Sequence, residues 1–174
     1  VAGEGSGNKQ GAVYAKLSGE PTVSNRFYAQ SLVLAQRQLK NLSAEVPHQS
    51  CGLVQVVHNQ RELKRLQQLQ DNGFIPAEIA QYKTAEQLSQ LTGVTLTDEG
   101  LWFSEGGWVS PSAWVSHLIE THQLNVSCNT EVLDIQAQHA QWTLSFAQGN
   151  QQSFDQVIIT CAFHSKKLPC LEHL

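Results

Sequence analysis

The sequence predicts an α+β fold in which a mixed, mostly antiparallel sheet packs against helices. The first two thirds contain four stretches with helical caps and helical spacing of apolar residues. The last third consists of short β-rich segments separated by turns. A length of 174 residues can bury a real core, and a content of 41% hydrophobic and 15% charged residues is typical of a globular domain.

The predicted helices are 24–42, 60–71, 84–93 and 110–122. Ser24 is the expected N-cap of the first helix. The core face of that helix is expected to carry Phe27, Ser31, Leu34, Ala35, Gln38 and Leu42. Asn59 and Gly73 are expected to bound the second helix and Gly93 to end the third, and Pro111 takes the favoured first position of the fourth.

The predicted strands are 12–17, 51–58, 77–83, 101–105, 124–129, 130–138, 141–147 and 153–160. Gly149 and Asn150 are expected to form the hairpin turn between the last two. We expect the strands within 124–160 to form one mostly antiparallel sheet, on which helices 24–42 and 110–122 pack.

The balance of charge argues against a strongly basic surface. Lys and Arg number 11 against 15 Asp and Glu, which gives a formal net charge of −4. A nucleic-acid partner is therefore expected to be held mainly by parts outside this chain. The apolar runs are too short to span a bilayer, and no signal peptide is visible.

The cysteines and histidines predict neither a disulfide framework nor a metal site. The cysteines form no CxxC pair and are expected to be reduced and mostly buried; they are Cys51, Cys128, Cys161 and Cys170. His117 and His122 are five residues apart, so a helix does not place both on one face.

The start of the chain suggests a piece of a larger protein. The sequence has no methionine and opens directly on a Gly-rich stretch. We therefore expect some of the functional machinery to lie outside it.

The Gly-rich stretch at residues 1–11 is the first candidate site. Ser6, Asn8 and Gln10 supply hydrogen-bonding groups, while Gly7 and Gly11 allow close approach of the backbone to a flat ligand. It does not match a dinucleotide fingerprint, because no apolar strand precedes it and no helix follows directly. The alternative is a terminal loop with no ligand.

The second candidate is a corner between a strand and a Pro-opened helix at residues 105–111. Gly106 and Gly107 are followed by Trp108, and the free N–H groups of the helix are expected to face the turn. At least one of the two glycines is expected to have a positive φ angle. The alternative is a tight turn in which Trp108 only packs.

The third candidate is the apolar segment 154–165, which ends on the small residues Thr160 and Cys161. In open α/β sheets, ligands bind at the carboxyl ends of strands, so this end is a candidate cofactor edge. The alternative is a buried strand that leaves the core. No paired acidic site, Ser-His-Asp order or P-loop is present, and no catalytic base can be named.

Several motifs resemble those of the D-amino-acid-oxidase-like family of FAD oxidoreductases. The specific ones are SGNKQGAVY at 6–14 and GWVSP at 107–111. RFY at 26–28, AQR at 35–37, GLVQ at 52–55 and NTEV at 129–132 also match. More narrowly, the chain resembles the FAD-dependent domain of the bacterial bifunctional enzymes that modify the wobble uridine of tRNA.

The resemblance implies roles for individual residues. Those lining FAD are Ser6, Gly7, Asn8, Gln10, Gly11, Val132, Thr160 and Cys161. Those near the substrate are Gly106, Gly107 and Trp108. It also implies a flavin-proximal loop and strand at 1–17, a substrate-domain region at 18–150 and a strand returning toward the FAD domain at 151–174.

The resemblance further implies an activity. The flavin enzyme oxidatively removes the carboxymethyl group from 5-carboxymethylaminomethyl-2-thiouridine in cytoplasmic tRNA. S-adenosylmethionine is used only by a separate methyltransferase domain, and no metal or membrane is involved. The alternatives are a small-molecule amine or amino-acid oxidase of the same fold, and a binding domain that has lost FAD.

Two departures from the family bear on the cofactor. Phe163 stands where the family has a Gly that lets the backbone approach FAD. The strand and GxGxxG turn of the nucleotide-binding half are absent from the sequence. This piece alone is therefore expected to be colourless and inactive, with FAD bound only in the intact parent.

Overall fold

The computed structural model describes residues 2–171. They fall into two compact units, Val1–Leu124 and Asn125–Leu174. No helix among the described residues is long and apolar enough to cross a membrane.

The first unit contains four helices and six short strands. The helices are α1 Val23–Lys40, α2 Gln60–Asn72, α3 Ala85–Thr92 and α4 Pro111–Thr121. The strands are β1 Gly11–Val13, β2 His48–Gln49, β3 Leu53–Val56, β4 Gln81–Lys83, β5 Gly100–Phe103 and β6 Gly107–Val109. They form two antiparallel sheets, with the orders β1-β6-β2 and β3-β5-β4.

The second unit contains an antiparallel meander of β7 Val132–Gln138, β8 Gln141–Phe146 and β9 Gln151–Phe154. Gly149 has φ +84° in the turn between β8 and β9, which confirms the predicted hairpin. Short 3-10 helices follow at Ala162–Lys167 and Pro169–Leu171. The α+β class with mostly antiparallel strands is confirmed.

The strands that occur within 124–160 form one antiparallel sheet, as predicted, but fewer segments are strands than predicted. Residues 124–129 and 157–160 are not strands. A strand is held by ladder hydrogen bonds, and neither segment has a partner strand among the described residues. A segment rich in β-branched residues does not form a strand unless another strand pairs with it.

The N-cap of helix α1 is Thr22, two residues before the predicted Ser24, and the helix begins at Val23. The Thr22 hydroxyl accepts a hydrogen bond from the Asn25 N–H at 3.2 Å. The buried Asn25 side chain accepts from the Ser18 N–H at 2.7 Å and donates to the Ser18 carbonyl at 2.9 Å. These bonds fasten the incoming chain to the first turn of the helix.

The predicted core face of α1 is also wrong. Leu32 and Leu39 are the buried apolar residues, whereas Phe27 and Leu34 are 64% and 58% exposed. Both sets have helical spacing, so periodicity could not decide which one faces the core.

The other helix boundaries agree with the predicted caps. Asn59 accepts from the Glu62 N–H at 3.0 Å, and Gly73 ends α2 in the left-handed region with φ +58°. Gly93 ends α3 in the same way with φ +71°. Pro111 is the first residue of α4, and Ser110 is its N-cap. These local signals determine helix ends within one or two residues.

Several strands are shorter than predicted, for local reasons. The strand after Cys51 begins only at Leu53, because Gly52 has φ +80° and breaks the extended backbone. The Gly106 N–H donates to the Phe103 carbonyl at 3.0 Å, so the turn to β6 begins at Phe103. The N–H of Ile79 donates to the Pro76 carbonyl at 2.9 Å, which makes a turn before β4.

Two apolar clusters hold the first unit together. The larger contains Leu17, Leu32, Leu66, Leu101 and Phe103, so it joins α1 and α2 to β5. The smaller contains Leu39, Val46 and Val109, and it lies against the sheet of β1, β6 and β2. Three of the four cysteines are exposed and Cys170 is half-buried, so the prediction of mostly buried thiols is wrong. All four are free thiols.

Candidate functional site

The two motifs that most resemble the family are neighbouring strands of one sheet. Gly11 of β1 is opposite Val109 of β6, Ala12 is opposite Trp108, and Val13 is opposite Gly107. The Gly-rich loop that precedes β1 and the glycine corner that precedes β6 are therefore brought together. Sequence analysis singled out both segments but did not predict that they pair.

The Gly-rich loop offers polar groups that the protein itself does not use. It forms a short 3-10 helix at Glu4–Gly7 and then passes through Asn8 and Gln10 into β1. The side chains of Ser6, Asn8 and Gln10 are exposed and make no hydrogen bond with the described residues. The loop leads into a strand and not a helix, as expected for a segment that is not a dinucleotide fingerprint.

The glycine corner is constrained by close packing and not by φ. Neither Gly106 nor Gly107 has a positive φ angle, so that prediction is wrong. A Cβ on Gly107 would instead clash with the backbone carbonyl oxygen of Gln49 in β2. A Cβ on Gly106 would lie 3.0 Å from the Cβ atoms of Leu53 and Phe103. Glycine is needed because neighbouring backbone and core atoms occupy the space of a side chain.

Further contacts fix the corner on the side of α4. The Ser110 N–H donates to the Pro47 carbonyl at 2.8 Å, which joins the end of β6 to the start of β2. A Cβ on Gly11 would lie 3.0 Å from Cγ of Pro111, so glycine lets β1 pack against the first turn of α4. The first turn of α4, strand β1 and the glycine corner thus pack against one another.

One face of this sheet is open. Cross-strand partners lie on the same face, so Ala12, Trp108 and Gln49 share one face, while Val109 lies on the other with the smaller apolar cluster. Ala12 and Gln49 are exposed and Trp108 is half-buried. Trp108 of the central strand therefore presents an aromatic surface flanked by a small side chain and an amide.

Tyr14 extends the open face. It lies two residues beyond Ala12, is partly exposed, and packs edge-on against Phe103 with ring centroids 5.9 Å apart. Sequence analysis named neither Tyr14 nor Gln49 as a site residue. Tyr14 lies within the family motif and could have been found from it, but Gln49 belongs to a two-residue strand that carries no periodic signal.

The remaining predicted cofactor residues lie in the second unit. Val132 and Cys161 line the same cleft of about 430 Å³, together with the apolar side chains of Ile135, Leu144 and Ile159. Thr160 is exposed and does not line it. The predicted strand 153–160 is present only as β9, and Ile158 is 86% exposed.

Phe163 occupies the position at which the family is expected to have glycine. The side chain is 71% exposed, and the Lys166 ammonium lies 3.7 Å from the centroid of its ring. The left-handed backbone that glycine favours occurs one residue earlier, at Ala162, with φ +46°.

The donor set of the first unit fits a flat ligand with polar edges, such as a flavin ring. It combines unpaired amides and a hydroxyl on a glycine loop with a neighbouring aromatic surface. The described residues contain no strand that passes through a Gly-rich turn into a helix, the arrangement that binds a dinucleotide pyrophosphate. No group of three or more metal-ligating side chains occurs among them either.

Comparisons with known proteins identify the family of the chain. The family described as FAD dependent oxidoreductase matches residues 1–173. The tRNA 5-methylaminomethyl-2-thiouridine biosynthesis bifunctional protein MnmC of Shewanella sp. is 30% identical over 165 residues, covering 88% of this chain and 24% of that protein. The protein of the same name from Hahella chejuensis is 28% identical over 153 residues, covering 86% of this chain and 24% of that protein. The chain thus spans about a quarter of the length of these curated relatives.

Solved structures show the same fold. Glycine oxidase from Geobacillus kaustophilus superposes with a TM-score of 0.65 at 15% identity, covering 91% of this chain and 45% of that chain. Glycine oxidase from Bacillus cereus gives a TM-score of 0.55 at 15% identity, covering 86% of this chain and 44% of that chain. The family match over nearly the whole length, together with this fold, shows that the chain belongs to the FAD-dependent oxidoreductase family.

Proposed function

We propose that the chain is part of a flavin enzyme that oxidises a modified wobble uridine of tRNA. The observation that carries the proposal is the pairing of β1 with β6, which joins the unpaired polar loop to Trp108 on an open face. The family match supports the flavin chemistry, and the names of the relatives support the tRNA substrate.

The chain's own residues would bind FAD and orient the substrate. Ser6, Asn8 and Gln10 would donate hydrogen bonds to the polar edge of the flavin, and Gly7 and Gly11 would let the backbone approach it. Trp108 would cover one side of the substrate, and Gly106 and Gly107 would keep the corner free of side chains. In the second unit, Val132 would lie near the adenine of FAD, and Thr160 and Cys161 would also contact the cofactor.

FAD, when bound, would supply the acceptor for a hydride from the C–H bond beside the secondary amine of 5-carboxymethylaminomethyl-2-thiouridine. The nitrogen loses its proton as the carbon–nitrogen double bond forms, and water then adds to that bond. The carbon–nitrogen bond breaks to leave 5-aminomethyl-2-thiouridine and a two-carbon aldehyde acid. The two electrons removed from the substrate would pass finally to dioxygen or another electron acceptor.

The proposal also assigns roles along the chain. Residues 1–17 face the flavin, 18–150 form the substrate region, and 151–174 return toward the cofactor domain. The cytoplasmic parent would carry the methyltransferase and its S-adenosylmethionine site in a separate domain.

A small-molecule amine oxidase is the second candidate, because two solved proteins with this fold are glycine oxidases. It would use the same flavin-facing residues with a different substrate. The identity of the substrate, and not FAD binding, separates the two candidates.

The first prediction concerns FAD binding by the chain alone. The purified 174-residue protein is expected to be colourless and to leave FAD fluorescence unchanged on titration, because no described strand–glycine turn–helix holds the pyrophosphate. The measurement is flavin absorbance together with the fluorescence titration. A yellow preparation, or saturable quenching at micromolar protein, would contradict it.

The second prediction tests the substrate in a complete enzyme. The MnmC protein of Shewanella pealeana is 27% identical over the whole length of this chain. In a chimera, the chain replaces the matching segment of that protein. The chimera is expected to restore 5-aminomethyl-2-thiouridine in tRNA of a strain that lacks the enzyme, as measured by nucleoside analysis. Trp108→Ala is expected to lower this activity about tenfold or more, since a contact that positions the reacting group is lost.

The matched control is Trp142→Ala, which removes a partly exposed Trp from β8 of the second unit. It is expected to leave the nucleoside product near the level of the parent chimera. A chimera that binds FAD and oxidises glycine but not tRNA would favour the second candidate. A chimera that folds without FAD would favour a binding domain that has lost the cofactor.

A further inference from the structure

Helix α2 carries a positively charged face although the protein as a whole is acidic. Three of the protein's 11 Lys and Arg occur between positions 61 and 65. Arg61, Lys64 and Arg65 recur at intervals of three and four residues, which places them on one side of the helix. They line a surface groove of about 770 Å³, and Gln68 continues the same face one turn further on.

Within residues 2–171 these cations have no ion-pair partner. No carboxylate among the described residues forms an ion pair with Arg61, Lys64 or Arg65. Lys40 of α1, by contrast, lies 3.1 Å from the Glu105 carboxylate. The one acid in the groove, Glu62, accepts a hydrogen bond from the His58 N–H at 2.8 Å, at the N-terminal end of the helix.

The position of the charges opposes helix stability. Arg61 lies in the first turn of α2, where the helix dipole already contributes positive potential and acidic side chains are favoured. Arg65 is partly buried, and its Nε atom has no hydrogen-bond acceptor among the described residues. The partly buried Arg65 side chain therefore lines the groove without an ion-pair partner among the described residues.

We propose that the α2 face formed by Arg61, Lys64 and Arg65 binds the phosphate backbone of the RNA substrate. This inference rests on the proposed tRNA function and assigns to it a contact surface within this chain. Side chains three and four residues apart on a helix are separated by about 5–6 Å at Cβ, so long Arg and Lys side chains can reach successive phosphates of one strand. Phosphate contacts of this kind give affinity and orientation but no sequence selection.

The proposal differs from the expectation that RNA is held mainly by parts outside this chain. Net charge describes the whole surface, whereas a helix can concentrate positive charge locally. The remaining acids of a protein with net charge −4 lie elsewhere and would disfavour other RNA-binding orientations.

The test is the binding of a fluorescently labelled, unmodified tRNA transcript to the protein, followed by anisotropy over a range of KCl concentrations. Arg61→Gln/Lys64→Gln removes two phosphate contacts and keeps good helix formers. It is expected to weaken binding about thirtyfold at about 0.1 M KCl and to reduce the slope of log K against log salt by about 1.4–1.8. Circular dichroism verifies that the variant is folded.

The matched control is Arg37→Gln/Lys40→Gln, which removes the same two charges at the same spacing from the exposed last turn of α1. It is expected to change the affinity less than threefold. Equal weakening by both double variants would overturn the proposal, as would a change of less than threefold in the α2 variant.

Two further outcomes separate this inference from the proposed function. Tight binding to phosphatidylserine vesicles but not to the transcript would overturn the RNA assignment, whatever the oxidation assay shows. Loss of RNA binding in the α2 variant alone would support it even if the chimera fails to oxidise tRNA, which would count against the proposed function only.

Discussion

The Gly107→Ala variant is expected to lose about 3 kcal/mol or more of the free energy of unfolding. The added methyl group would meet the carbonyl oxygen of Gln49 and lie 3.0 Å from the Ser50 Cα atom. These are backbone atoms, so they cannot rotate away as a flexible side chain can. Relief requires β2 to separate from β6, which also breaks ladder hydrogen bonds. Urea denaturation followed by circular dichroism measures the loss.

The control for this variant is Gly5→Ala. A Cβ at Gly5 has no heavy atom within 4 Å, and φ there is not positive. The free energy of unfolding is expected to change by less than about 0.5 kcal/mol. If Gly107→Ala and Gly5→Ala unfold at the same urea concentration, the close approach of β2 to β6 is not a constraint on the fold.

Replacing Phe103 with Ala is the second change with a large expected effect. Phe103 is 0% exposed and belongs to the larger apolar cluster. Removing a buried ring of this kind typically costs about 3–5 kcal/mol, because transfer free energy is lost and a cavity remains. The free energy of unfolding from urea titration, or the melting temperature, measures this loss.

Phe27→Ala is the matched control for Phe103→Ala. The same atoms are removed from a side chain that is 64% exposed, so only a small part of the transfer free energy is lost. The expected change is below about 1 kcal/mol. Equal destabilisation by the two variants would contradict the burial of Phe103 in the larger cluster or the exposure of Phe27 on α1.

Helix ends were the most predictable part of the fold. Asn59, Gly73, Gly93 and Pro111 act through local backbone chemistry, which the sequence displays directly. The core face of α1 could not be predicted in the same way, because Phe27 and Leu34 are as apolar and as regularly spaced as Leu32 and Leu39. Which set is buried depends on tertiary packing against α2 and β5.

Strands were predicted less well because they depend on partners. The residues 157–160 are β-branched and apolar, yet they pair with no described strand. β2 is the opposite case, since His48 and Gln49 give no sequence signal but pair with the centre of the candidate site. The intrinsic β propensity of a segment therefore indicates neither the missing partner of 157–160 nor the pairing of β2.

Within the candidate site, residue types were easier to predict than their geometry. The two glycine motifs drew attention to Gly11, Gly107 and Trp108, and the structure brings all three together. The reason for glycine at position 107 was wrong, because a positive φ can be guessed from a turn whereas a clash with Gln49 requires knowledge of the neighbouring strand. Val132 and Cys161 share a cleft, but their role toward FAD stays a prediction.

The pairing of β1 with β6 also determines when the site can exist during folding. Gly11 and Val109 are separated by roughly a hundred residues, and closing a loop of that length costs about 4 kcal/mol of chain entropy. Helices α1 and α2 depend on local contacts and can form before this closure, whereas the open face of Ala12, Trp108 and Gln49 cannot. A chain with its helices formed but this loop unclosed lacks the open face, so that face exists only after β1 and β6 have paired.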